Sequence, residues 1–480
     1  MLLHLVATIL AVMTPIGDQA APAPATPPNP NLAPPDRVPD SVAQPTEPTR
    51  VGQNVSPTTH SMRTMGYYGQ WPGECDGITG DWGGFRDTLM MDYGLNFNAS
   101  YTSILQSNVH GGLGTGFYGA SPIGVMLTAD LDLLAGLRGS TFFIDLEHFN
   151  WYNGPLAGSG QHDKSGSWVG DNGNFIDPTN ARLNQIAQLY WSQQLLDNTL
   201  NARFGKMDAN EHFSSIQAAG SFIYSAVSYT PTLNQFLPTY PNEATALQLI
   251  WTLNNTVTGS FGWFDGTSAA FPSGPATGPR GPATFFDNAG HWFFITQWDA
   301  NWSLSDTQPG TIGLGAWLQT GNTLTAGNSA AGVNDVPGFY VQWQQTIWAP
   351  DAQTADNNGG LAGFGQFGWS DPDKNPVHWS IMAGLNATGI IPGRPADSIG
   401  LQGSYCNFVD DAAIFQSMNA DGSAGPSGGY ESCIELYYLA QLTPCLYVQP
   451  GIEWIESPGG GSTPPLQNAL VAYLQVGIEF

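Results

Sequence analysis

The last eleven residues of the chain, Leu470 to Phe480, alternate without a break. Leu470, Ala472, Leu474, Val476, Ile478 and Phe480 share one parity, and Val471, Tyr473, Gln475, Gly477 and Glu479 share the other. A strand turns successive side chains to opposite faces, so this pattern predicts an apolar face toward lipid and a mostly polar face toward a lumen. The two preceding segments repeat it. Leu446, Val448, Ile452 and Trp454 oppose Tyr447, Gln449, Gly451 and Glu453, while Ile434, Leu436, Tyr438 and Ala440 oppose Glu435, Tyr437, Leu439 and Gln441. The connection Leu442-Thr443-Pro444 is tight, and the one from Glu456 to Gln467, with its Gly459-Gly460-Gly461 run, is long. Short turns on one side and long loops on the other are the habit of membrane barrels. Upstream, from about Tyr67, the chain is likewise short alternating segments separated by Gly, Pro, Asn and Asp clusters.

The N-terminal stretch follows another pattern. Leu2 to Met13 form an apolar run, followed by Pro15, Gly17 and small residues around Ala20 to Ala23. This predicts a secretory signal over residues 1–21. Ten of the thirty residues from Ala21 to Arg50 are Pro, so residues 22–66 are expected to be an extended tether that buries no core, either a passive spacer or a contact with the cell wall. Residues 67–480 are then the folded domain.

Composition agrees with a membrane barrel. Charged residues make up 10% of the chain and aromatics 12%, with 16 Trp, 17 Tyr and 59 Gly. A typical soluble domain carries about 25% charged residues. Beyond the N-terminus no run of about 18 apolar residues occurs, which argues against membrane-crossing helices. The other way to cross a bilayer is a closed barrel, whose backbone groups pair between strands. The mean hydropathy of -0.14 fits strands that are apolar on one face only. A net charge of -26 argues against nucleic acid as a partner. Three of the 12 cations and four of the 38 acids precede residue 71, so the barrel keeps nine cations against 34 acids. Such a lumen should favour neutral or cationic solutes.

Thr79-Gly80-Asp81-Trp82-Gly83-Gly84-Phe85-Arg86, followed by Tyr93-Gly94-Leu95 and a strand from Asn96 to Tyr101, resembles the opening of the carbohydrate-selective porin family, the glucose-selective outer-membrane porins. The stretch Arg203-Phe204-Gly205-Lys206-Met207-Asp208-Ala209-Asn210 resembles the family's mid-barrel G-K-x-D motif, and the tail resembles its C-terminus. The similarity spans roughly Cys75 to Phe480. It implies an all-β fold, a closed antiparallel transmembrane barrel of sixteen strands with a short N-terminal helix. It also implies a bacterial outer-membrane channel for passive diffusion of small neutral carbohydrates, with charged and aromatic side chains at its constriction. The chain departs from the family pattern in its acidity and in its four Cys, which leaves the preferred solute open. The alternatives are a general porin for cations and neutral solutes, or a secreted β-rich glycan-binding protein.

Arg and carboxylates bind pairs of sugar hydroxyls through two-pronged hydrogen bonds, so the scarce cations are the first candidates for the constriction. These are Arg86, Arg182, Arg203 and Lys206, with Asp208 beside them; a salt bridge at the rim is the other reading. Strict alternation from Leu200 turns Lys206 outward with Ala202 and Phe204 unless the strand ends first, and Asp208 is expected beyond that strand. Trp292, Trp298, Trp302, Trp343 and Trp348 suit the aromatic girdles at the two membrane interfaces better than sugar stacking. Cys406 and Cys433 flank a long loop on lumenal parity, whereas Cys75 and Cys445 fall at the periplasmic end, so Cys406–Cys433 and Cys75–Cys445 are the expected disulfides, with free thiols as the alternative. Glu147-His148 and Glu211-His212 lack metal-ligand spacing, and the Asp171 to Asp177 stretch departs from a calcium loop. No catalytic motif stands out, so neither enzyme activity nor a cofactor is expected. The expected partners are small sugars and outer-membrane lipid, with a monomer and a homotrimer equally open.

Overall fold

The computed structural model describes residues 78–80, 82–152, 182–240, 242–266, 281–282, 285–286, 290–323, 332–351, 359–417, 425–460 and 463–480. The expected signal sequence (1–21), the expected tether (22–66), Cys75 and the Asp171 to Asp177 stretch lie outside them. The first described element is a short helix, α1 (Phe85–Tyr93), bounded by Gly84 and Gly94, both at positive φ. Arg86 ties it to the strand that follows, Nη2 donating to the Phe97 carbonyl at 2.8 Å and to Asn98 Oδ1 at 3.2 Å.

Sixteen strands follow. The first five are β1 (Leu95–Gly112), β2 (Gly116–Asp130), β3 (Ser140–Tyr152), β4 (Arg182–Leu195) and β5 (Leu200–Met207). Next come β6 (Ala244–Thr252), β7 (Val257–Asp265), β8 (Trp292–Ser303), β9 (Pro309–Thr323) and β10 (Val333–Trp348). The series ends with β11 (Gly360–Ser370), β12 (Val377–Thr388), β13 (Ser398–Phe408), β14 (Tyr430–Thr443), β15 (Leu446–Glu456) and β16 (Gln467–Glu479). A second short helix, α2 (Leu131–Ala135), caps the turn from β2 to β3, with Asp130 accepting from the Asp132 and Leu133 amides. Each strand pairs antiparallel with its chain neighbours, and β1 pairs with β16, for example Tyr101 with Ile478 and Leu105 with Leu474. The sheet is therefore a closed barrel with no free edge.

The last three strands have the parity that their sequences predict. Ile434, Leu436, Ile452, Trp454 and Leu474 are exposed, whereas Glu435, Tyr437, Tyr447, Gln449, Glu453, Tyr473 and Gln475 are buried. The exposed side is the belt that lipid covers. Inside, large rings lie over cross-strand glycines: a Cβ at Gly451 would collide with the Tyr473 ring, and one at Gly477 with the Tyr447 ring. These glycines make room for rings that would otherwise fill the lumen further.

The cysteines of β13 and β14 correct one expectation, the Cys406–Cys433 disulfide. Cys406 pairs across β13 and β14 with Glu431, and Cys433 with Ser404. The two cysteines are thus diagonal neighbours two residues out of register, and both are buried thiols rather than a disulfide. Diagonal partners in a sheet lie about 7–8 Å apart, beyond the reach of an unstrained S–S bond.

Candidate lumen constriction

The connection from β5 to β6, residues 208–243, is where the lumen narrows. It is rich in apolar residues, yet their spacing fits neither a strand nor a long helix. It forms short helical turns, including α3 (Ser225–Ser228), and turns inward. Asp208 holds both of its ends, Oδ1 accepting from the Asn210 amide at 2.7 Å and Oδ2 from the Tyr240 amide at 3.3 Å. Asn210 Nδ2 then joins the two limbs by donating to the Phe213 and Ser228 carbonyls, each at 3.1 Å.

From that root the segment reaches across to the far wall. The Ser214 amide donates to Gln297 Oε1 of β8 at 3.0 Å and to the Tyr340 hydroxyl of β10 at 3.1 Å. Gln366 of β11 donates to Ser214 Oγ at 2.9 Å, and Gln449 of β15 to the Ser221 carbonyl at 2.7 Å. At the tip, the amides of Ile223 and Tyr224 donate to the two carboxylate oxygens of Glu435 on β14, at 2.9 and 3.2 Å. The Tyr473 hydroxyl completes the set, donating to Glu435 Oε1 at 2.8 Å. These bonds leave an apolar side to pack: Phe222 against Phe364 and Tyr437, and Phe236 against Trp317. The segment thereby packs against the inner wall, sharing buried clusters with Phe143, Tyr190 and Phe264 on one side and with Trp317, Tyr340 and Tyr437 on the other.

Acids gather at the segment's root, against β3 to β5. Gln185 Nε2 bridges Glu243 at 3.1 Å and Glu147 at 3.3 Å. Gln188 bridges a second pair, donating to Glu211 Oε1 at 2.7 Å and accepting from the Asp208 amide at 3.2 Å. Both glutamines face inward although they are three residues apart, because the ladder from β3 to β4 skips Ala187 between Asp145–Gln188 and Leu146–Ile186. Asp145 is buried opposite Gln188, and among the described residues neither of its oxygens meets a donor. Burial, and then the negative charge of Glu243 and Glu211, raise the Asp208 carboxyl well above the usual carboxylate range. Burial pushes Glu243 up to about 7, against the opposing pull of the Lys206 ammonium.

The candidate cations go to different places. Lys206 is 4% exposed, whereas Phe204 two positions earlier is 47% exposed, so strict alternation fails here. Between them Gly205 takes φ 142, where a side chain would strike the Leu189 carbonyl. The Lys206 ammonium sits 3.8 Å from Glu243 and donates to the Ile186 carbonyl at 2.8 Å. Arg203 keeps lumenal parity; its Nε donates to Asn201 Oδ1 at 2.9 Å and its guanidinium lies 5.6 Å from the Tyr190 ring centre. Arg86 belongs to the α1–β1 junction. Arg182 starts β4, and its side chain lies outside what the structure describes. Asp208 follows the end of β5. Trp298, Trp302, Trp343 and Trp348 are exposed on the barrel surface, and Trp292 packs with Trp263, Phe285 and Phe286.

Residue-by-residue reading of the sequence weighs Glu147 and Glu211 only as metal ligands, and does not single out Asp145, Glu243 and Glu435. Glu435 was on the polar parity of its strand, but nothing local marks it as the partner of a segment more than 200 residues earlier. The available signal was the run Phe213, Ile216, Phe222, Ile223, Val227, Leu233, Phe236 and Leu237, too apolar for a solvent-exposed loop.

The comparisons with known proteins agree with this architecture. The model of the carbohydrate-selective porin, OprB family matches residues 123–480. Porin B of Pseudomonas aeruginosa is 24% identical over 438 residues, which cover 84% of this chain and 91% of that protein. The high-pH structure of Pseudomonas putida OprB superposes with a TM-score of 0.68 at 21% identity, covering 84% of this chain and 98% of that one. The low-pH structure of the same protein gives 0.53 at 19% identity, covering 85% and 100%. The chain belongs to the OprB family of carbohydrate-selective porins, channels of the bacterial outer membrane through which sugars diffuse.

Proposed function

We propose that this porin passes small neutral carbohydrates passively and discriminates against anionic sugars of similar size. The observation that carries this reading is the excess of acid at the root of the inward segment. Asp145, Glu147, Asp208, Glu211 and Glu243 gather there, and Lys206 is committed to Glu243. Carboxylates and glutamine amides offer sugar hydroxyls both acceptors and donors, while Arg203 supplies a nearby guanidinium and Asp208 holds the segment in place. Low-dielectric walls focus the field of the ionised members of such a cluster, so above about pH 7, where Glu243 has lost its proton, a hexose passes without electrostatic cost and a sugar phosphate is repelled. No bond is made or broken in this passage. The test is swelling of liposomes carrying the protein: glucose should enter much faster than glucose phosphate at low salt, and equal rates would overturn the reading.

A disulfide between Cys75 and Cys445 is part of the same proposal. Ile78 donates its amide to the Glu479 carbonyl at 2.8 Å, and the Glu479 amide donates to the Cys445 carbonyl at 2.9 Å. Three residues span about 10 Å at most, which keeps Cys75 within reach of that turn. Non-reducing peptide mapping should recover the two cysteines in one linked peptide. Recovery of Cys445 as a free thiol would refute the bridge.

A further inference from the structure

The connection from β13 to β14, residues 409–429, and the shorter one from β11 to β12, residues 371–376, lie at the same end of the barrel as the inward segment's root. Where they meet is a cavity of about 380 Å³ lined by Pro372, His378, Asn407, Phe408, Asp410 and Ser427, among others. That volume is within the range of small-ligand sites. Phe408 and Val409 are buried and close the cavity below, whereas Asp410 and Gly429 are exposed at its edge. It is a depression open to water among the loops, and it shares no residue with the inward segment or with the acids at that root.

Two kinds of surface meet in it. Pro372, Phe408 and Val409 present carbon, and Phe408 is held flat by stacking on Phe415 at 4.4 Å between ring centres. The polar side chains each keep a hydrogen-bonding position in hand. Trp369 Nε1 donates to His378 Nε2 at 3.1 Å, so in the neutral ring Nδ1 carries the proton and is a donor. Asn407 Nδ2 donates to the Gly429 carbonyl at 3.4 Å, which leaves its amide oxygen as an acceptor. Ser427 Oγ donates to Asp410 Oδ1 at 3.1 Å, which leaves Oδ2 as another. Asp410 is the one acid among the described lining residues, too few for a divalent cation that takes about six oxygens. Neither Lys nor Arg is among them, so a phosphate would find no counter-charge. The ligand that fits is neutral, with hydroxyls on its edge and C–H groups on its face, which describes a pyranose.

We propose that this cavity is a binding site for a neutral monosaccharide at the mouth of the barrel, separate from the constriction. The pyranose sets a C–H face on Phe408 and Pro372 and its hydroxyls on Asp410, Asn407 and His378. The choice of ligand rests on the reading that this porin passes neutral carbohydrates. The test is photolabelling of the full chain in detergent micelles with a glucose that carries a diazirine on its anomeric oxygen, followed by peptide mapping. Label should appear on the peptides that hold Pro372 to His378 and Asn407 to Asp410. Excess glucose should remove it, and glucose phosphate at the same concentration should not. The nearly isosteric Asp410→Asn should lower that labelling about threefold, and Asn407→Leu about tenfold. Any label on β3 to β5 reports the lumen and should be unchanged in both variants, as should glucose influx into liposomes from a steep gradient. Absence of label at the loop peptides, equal competition by glucose phosphate, or labelling that neither variant alters would each overturn the proposal. An error in the transport reading shows itself elsewhere, as equal influx of glucose and glucose phosphate through the wild-type channel, whatever the pattern of label.

Discussion

Gly205 and Lys206 sit side by side at the buried end of β5. A β-carbon at Gly205 would lie 2.6 Å from the Tyr190 Cα, so only glycine fits its φ of 142. Lys206 lies beside Glu243 instead of in lipid, where a cation at the midplane costs about 2–4 kcal/mol. The sequence displays the G-K-x-D motif but not this placement, since parity counted along a strand cannot register a backbone irregularity. The acid that Lys206 meets carries a pH dependence. Glu243 holds its proton up to about 7. As pH falls from 8 to 6 the carboxylate is neutralised and the lumen loses negative charge, so cation preference should fall with it. Reversal potentials across a planar bilayer in a salt gradient measure this, and Glu243→Gln should flatten the curve over that interval. A wild-type preference that is constant from pH 6 to 8 would rule Glu243 out as its source.

At the scale of elements, the strands were legible and the inward segment was not. Three consecutive strands could be read from β14 to β16 because period-2 alternation is a local property. Residues 208–243 owe their fold to partners on β8, β10, β11, β14 and β15, and no local pattern announces such contacts. The difference alters an expectation on β16. If the lumen were wet throughout, Gln475→Arg would be tolerated while Leu474→Arg disrupted insertion. Gln475 is in fact 1% exposed and donates to the Tyr447 hydroxyl at 2.6 Å, so the larger cation has no room. Both variants should therefore lower the thermal midpoint of the folded barrel in detergent. Leu474→Arg should lose about 2–4 kcal/mol if it lies near the midplane. Gln475→Arg should act through overpacking, at about 1–3 kcal/mol. An Arg accepted at 475 without loss would mean that the packed lumen around Tyr447 is not as described.

The inward segment makes its own prediction. Glu435 is the charged anchor of its tip, accepting two backbone amides and the Tyr473 hydroxyl. Hydrogen bonds to an ionised acceptor are roughly twice as strong as neutral ones. Glu435→Gln keeps the volume but supplies one acceptor oxygen in place of two. The tip should detach more often, and liposomes should then admit larger oligosaccharides while glucose influx changes little. Swelling rates across a series from mono- to tetrasaccharide would reveal the raised size limit. An unchanged limit would place the anchoring strength in Ser214 and its partners instead.

For the molecule as a whole, the relevant quantity is where the 34 acids of residues 71–480 act, since nine cations cannot balance them. Acids on external loops sit in water, and salt at about 0.15 M screens them beyond about 8 Å. Those at the root of the inward segment are buried against low-dielectric wall and are screened less. The discrimination between glucose and glucose phosphate therefore has two components with different salt responses. Long-range repulsion at the mouth should fade as ionic strength rises from about 0.01 to 1 M and the screening length falls from about 30 to 3 Å. The component from the ionised carboxylates at that root should persist, and it should be larger at pH 8 than at pH 6, as Glu243 loses its proton. A ratio of influx rates that declines with salt but levels off above unity is the expected outcome. If the ratio instead collapses fully to that set by size, the external loops alone repel anions. If glucose phosphate enters as fast as glucose even at low salt, Arg203 governs the constriction and the acids are spectators.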